Sequence, residues 1–144
     1  MQRSIIRTRL AAAATGLLLL LGSKVEAADV KSTGGLDKAR AYKTEDINHG
    51  ASGDNTIVAA VASKRIKVYA IVLVSSGTVN VKWKDGAATD LTGDINLQAR
   101  EGYTILATPP TFILATTAGN ALILNLSGAV GVDGWVAYWD DDGS

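Results

Sequence analysis

Apolar and polar positions change their spacing along the chain, and the changes mark its parts. Residues 10–22 (LAAAATGLLLLLG) form one unbroken apolar run. Residues 28–53 are polar, contain Gly34-Gly35, and sustain neither the 2-residue nor the 3.6-residue repeat that lines up one face of a strand or a helix. They read as a linker or extended arm, with two helical turns at most in residues 36–42. From Asp54 onward the repeat is 2, and a series of strands is predicted. Residues 56–62 (TIVAAVA) form the first. Residues 65–75 (RIKVYAIVLVS) form a longer one, with Ile66, Val68, Ala70, Val72 and Val74 on one face. Its other face starts polar at Lys67 and turns apolar at Ile71 and Leu73, which predicts cover on both sides of its second half. Residues 78–84 (TVNVKWK) alternate cleanly, with Val79, Val81 and Trp83 inward and Asn80, Lys82 and Lys84 outward. A one-residue slip there would expose all three apolar side chains, so the register is strongly set.

The remaining strands are shorter. Residues 90–97 are broken by Gly93, as in an edge strand or a bend. Residues 102–108 stop at Pro109-Pro110, which lack the N–H groups a central ladder needs, and residues 111–115 resume the strand. Residues 121–126 (ALILNL) and 132–139 (VDGWVAYW) complete the series. Seven or eight short strands with turn residues between them, and no amphipathic helix among them, predict an antiparallel sandwich or barrel. The expected architecture is an all-β, two-sheet, jelly-roll-like sandwich over residues 54–144, preceded by an arm (28–53) and an apolar segment (1–27).

Charge and composition narrow the function. Lys and Arg together equal Asp and Glu, 14 each. Four of the bases (Arg3, Arg7, Arg9, Lys24) but one acid (Glu26) lie in residues 1–27, so the remainder carries three more acids than bases. A mildly acidic domain has no electrostatic pull on a phosphate backbone, and nucleic acid is not an expected partner. The absence of cysteine removes disulfides, thiolate metal sites and cysteine nucleophiles. The leader has a basic start, a short apolar stretch, and Val25 and Ala27 before a cut at Ala28, the order of a secretory signal. The alternative is a retained anchor or packing helix. The apolar run falls short of the roughly 20 residues that span a bilayer.

Candidate chemistry is sparse. His49 is the one histidine and reads as an exposed loop residue. Asp140, Asp141 and Asp142 resemble a solvated tail more than a calcium loop, whose spacing they lack. Asp85, Asp90 and Asp94 lie in successive turns, where aspartate is common for backbone reasons alone. No catalytic, cofactor or metal residue is expected. The aromatics of the last strand carry more: Trp135 and Trp139 share one face, and Tyr138 lies on the other with Val136. Both faces of a two-layer sandwich strand are not equally buried, so one is a candidate contact surface, for another subunit first, with core packing next and glycan stacking last. The basic group Lys64, Arg65 and Lys67 is a weaker candidate.

The stretches TIVAAVASKRIKVYAIVLVSSGTVNVKWKDG, TDLTGDINL and ATTAGNALILNLSGAVGVDGWVAY together resemble small bacteriophage virion proteins, the head-decoration, head-fibre and tail-associated β-sandwiches. The resemblance is one of strand and turn order. It implies a non-enzymatic structural protein that forms a homo-oligomer, a trimer among the states allowed, and contacts other virion proteins. It transfers no functional residue. The leader departs from it, because virion components assemble in the cytoplasm; a retained segment would meet membrane through residues 1–27. The competing expectation is a secreted or periplasmic β-sandwich module, cleaved near Ala27, that binds carbohydrate or a cell surface.

Overall fold

The computed structural model describes residues 40–142. The leader, residues 28–39 of the arm and residues 36–39 of the two helical turns expected at 36–42 lie outside the described residues, and Tyr42 of those turns begins a strand. Those described are all β, without a helix, and form two antiparallel sheets of about five strands each in a sandwich-like arrangement. The strands are β1 (Tyr42–His49), β2 (Gly53–Val58), β3 (Arg65–Ser75), β4 (Val79–Asp85), β5 (Thr89–Asp90), β6 (Ile95–Leu97), β7 (Gly102–Leu106), β8 (Leu114–Ala115), β9 (Leu122–Leu126) and β10 (Val132–Asp141). The first sheet runs β1-β10-β3-β7, with β8 also on β3; the second runs β2-β9-β4-β5, with β6 also on β4.

The core is the apolar surface between the sheets. Val79, Val81 and Trp83 of β4 and Leu122, Leu124 and Leu126 of β9 meet Ile66, Val68, Ile71, Leu73, Val132 and Val136 from the first sheet. The clean alternation in β4 is present as read, and Asp85 continues it inward. One strand boundary differs sharply from the sequence reading: residues 42–49 are a strand and no part of a loose arm. β1 pairs with β10 along its whole length, from Tyr42 opposite Trp139 to His49 opposite Val132. Its inward positions are Lys43, Glu45, Ile47 and His49, and Ile47 alone is a buried apolar side chain. With two inward charges there was no alternation to read. His49 is accordingly half-buried at a strand end and not an exposed loop residue.

β3 corrects a second expectation. Ala137 is opposite Ala70 but Tyr138 is opposite Val68, so Tyr69 is an extra residue, a β-bulge. The bulge switches the strand's inward set from Ile66 and Val68 to Ile71 and Leu73. Val72 and Val74, expected to share a face with Ile66, therefore point outward, and Val74 is 47% exposed. The apolar change of side at Ile71 was the mark of this bulge and not of two-sided cover.

On the far edge of β3, β7 pairs with residues 70–74 and β8 with residues 67–68. The two are one strand position interrupted opposite the bulge. Ala107 N–H donates to the Tyr69 carbonyl (2.7 Å) and Ile113 N–H to the Val68 carbonyl (2.7 Å), so the excursion through Pro109-Pro110 leaves and rejoins the ladder without gaps.

Candidate functional site

The candidate surface is best built row by row across the outer side of the first sheet. Residues opposite one another in a ladder point to the same side. The register therefore gives four outward rows: Tyr42, Trp139, Lys67 and Ala115; Thr44, Ala137, Ala70 and Leu106; Asp46, Trp135, Val72 and Thr104; Asn48, Asp133, Val74 and Gly102. The middle of this face is apolar. Leu106 is 73% exposed and Trp135 39%, and with Val74 they form a patch that nothing among the described residues covers.

The residues singled out from sequence separate here. Trp135 and Trp139 do lie on one face of β10, with Tyr138 on the other, as the alternation required. Trp135 reaches solvent. Trp139, 1% exposed, does not: Tyr42, Tyr69 and Phe112 ring it with centroids 6.1, 5.8 and 6.4 Å away, and the Arg40 guanidinium lies 5.5 Å over its ring. Its indole N–H is buried without an acceptor. Trp139 is thus the centre of a small outer aromatic cluster and offers no ring face to a partner. Tyr138 is also buried, in the core, with its hydroxyl pKa raised chiefly by burial. Lys64 is tied to Asp142 at 2.9 Å. Arg65 stands exposed at the outer end of β3.

The acids are positioned by lysines. Asp140, Asp141 and Asp142 are no loose tail: the first two extend β10, and the three pair in turn with Lys43, Lys67 and Lys64. Strand alternation sends them in different directions, so they cannot converge on one cation. Of Asp85, Asp90 and Asp94, the last two meet at one lysine and Asp85 stands apart. Asp85 points into the fold and accepts from the Thr117 hydroxyl at 2.6 Å, while Asp90 and Asp94 both hold outward Lys82, at 3.1 and 3.2 Å. Among the described residues no group of three His, Cys, Asp or Glu side chains is placed to hold a metal ion.

The outer side of the second sheet has the opposite character. Lys84 donates to both carboxylate oxygens of Asp54, at 2.8 and 3.0 Å, and Asn125 donates to the same group. These contacts, Lys84 first, lower the Asp54 pKa below the usual 3.8. With Lys82 between its two aspartates, this face is a ladder of satisfied charges. A cleft of about 340 Å³ opens between the sheets where β1 and β10 meet β2, lined by Lys43, Glu45, Ile57, Val61, Tyr138 and Asp140 among others. Lys43 is held there by Asp140, whose hydrogen bond raises the amine pKa. No helix among the described residues is long and apolar enough to cross a membrane. Compared with known proteins, the chain matches no protein-family model and no curated sequence.

Proposed function

We propose that this chain is a non-enzymatic structural protein of a phage particle, of decoration, fibre or tail-associated type, acting through self-assembly and surface contacts. The observation that carries the reading is the contrast between the two outer faces. The second sheet's face is polar and internally ion-paired, as a surface meant for water is. The first sheet's face presents Leu106, Val74 and Trp135 together, the composition of a contact surface. The finer architecture belongs to the same proposal. With β5 and β6 counted as one position and β7 and β8 as another, each sheet has four positions, which supports an eight-position jelly roll. The lysine-paired acids favour a structural role over acid–base chemistry, which needs convergent titratable groups.

The test is composition of the particle. Purified particles from the natural source should contain the chain in many copies by peptide mass analysis, with surface labelling by an antibody against it. Particles lacking it sink the proposal. Intact mass from the same sample reads the leader: a species beginning at Ala28 marks export, and one beginning at Met1 marks a retained segment.

A second reading, an exported carbohydrate- or cell-surface-binding module, is favoured by the exposed Trp135 ring. The covered Trp139 weakens it, because it removes half of the expected stacking platform. Glycan-array binding lost in Trp135→Ala would support this reading, and no binding by the wild type removes it.

A further inference from the structure

We infer that the cleft between the sheets, where β1 and β10 meet β2, binds an organic ammonium ion with an aliphatic body. The inference goes beyond the structural role proposed above and does not depend on it. Three observations carry it.

The first is shape. The cleft measures about 340 Å³, within the range of roughly 300–1,000 Å³ that small-molecule sites occupy. Its two walls come from different sheets and differ in kind. Lys43, Glu45, Tyr138 and Asp140 line it from β1 and β10, and Ile57, Val58 and Val61 line it from β2 and the segment that follows. Ile57 and Val58 are buried, while Val61 is open to solvent.

The second is alternation. Lys43 and Glu45 are two positions apart on β1, Tyr138 and Asp140 two apart on β10, and Lys43 is opposite Tyr138 in the ladder. All four side chains therefore leave the first sheet on the same side. A charged wall faces an apolar wall, which suits a molecule with a polar head and an aliphatic body.

The third is charge, which selects the head. Lys43 donates to Asp140 and lies 5.9 Å over the Tyr138 ring, so this ammonium is already committed. Glu45 is exposed and takes part in no ion pair among the described residues. The wall thus sets two carboxylates against one ammonium and is negative by one charge. Burial raises the Tyr138 pKa, so its hydroxyl stays neutral and leaves that balance unchanged. A cation gains from the balance and an anion loses. Ile57, Val58 and Val61 present only hydrocarbon, which favours an aliphatic body over a hydrated one.

The experiment is an NMR titration of the full chain with hexylammonium, hexanol and hexanoate, three heads on one body. Hexylammonium is expected to bind with a dissociation constant on the order of a millimolar. The shifts should centre on Glu45, Ile57, Val58, Val61 and Tyr138. Hexanol and hexanoate should bind about tenfold more weakly or worse. Glu45→Gln removes the unpaired charge at an exposed position and should bring hexylammonium down to the level of hexanol. Glu45→Lys should reverse the order and place hexanoate first. Hexanol binding as tightly as hexylammonium would show an apolar slot that does not select charge, and overturns the inference. Hexanoate as the best ligand of the wild type overturns it too, as does hexylammonium affinity unchanged in both variants. So do shifts confined to residues outside the cleft, or none at all at about tenfold excess over the expected constant. Whether purified particles contain the chain is untouched by any of these outcomes.

Discussion

The Trp83 indole N–H donates to the Tyr103 hydroxyl at 2.7 Å, across the interior from the second sheet to the first. Trp83 is the largest side chain of the core and is 1% exposed, so its donor depends on this acceptor. Burial raises the Tyr103 pKa above 10, opposed in part by the Trp83 hydrogen bond. The two sheets are joined through this polar contact as well as by apolar packing.

Tyr103→Phe should therefore destabilise the fold by about 1–3 kcal/mol, the penalty for a buried donor left without a partner. Urea unfolding would measure it as a lower midpoint at unchanged slope. An undiminished midpoint would show that Trp83 finds another acceptor.

The same tyrosine sets a sign for alkaline pH. Its folded pKa lies above the unfolded value, so the folded state binds the proton more tightly. The contribution is fully present below pH 10 and is lost as pH rises from there through the folded pKa. Stability should fall above pH 10 in the wild type and fall less in Tyr103→Phe, measured by thermal melts across that range.

Acid acts on the other sheet. With the Asp54 pKa lowered by Lys84 and Asn125, the stabilisation from this carboxylate is present above pH 3.8 and lost as pH drops through the folded pKa. Carboxyl-carbon NMR should find Asp54 titrating below 3.8, and Lys84→Met should move it upward. A midpoint indifferent to Lys84 would contradict the assignment.

Gly134 sits opposite Leu73 and Ile47, and a Cβ there would run into the Val72 carbonyl oxygen. Its φ of 152° adds a backbone preference for glycine. Gly134→Ala is expected to cost about 1–3 kcal/mol as overpacking. A variant as stable as the wild type in denaturant would mean that β10 moves away from β3 without loss.

Of the three tryptophans, Trp83 and Trp139 are shielded and Trp135 is accessible. Acrylamide should quench one emitting component strongly, and Trp135→Phe should abolish that component. Quenching that persists in the variant would place Trp139 in solvent and dissolve the outer aromatic cluster.

What the sequence determined by itself was the set of strands whose inward positions are uniformly apolar. Residues 65–75 are a strand with the bounds expected, and the inward trio of β4 is as read, because alternation is a local property that one strand carries alone. β1 was illegible since its inward Lys43 and Glu45 face the open cleft between the sheets, where charge meets water. Tertiary structure alone decided three further things. The Tyr69 bulge turned Val72 and Val74 outward, because strand pairing counts residues against a partner that the sequence does not name. The Asp140–Asp142 run became part of a strand end, because its three lysines come from positions 74 to 97 residues away in the chain. And of two tryptophans that share a face, packing by Tyr42, Tyr69 and Phe112 covered one and left the other exposed. Periodicity assigns a side chain to a face; only the neighbouring strands settle what lies over it.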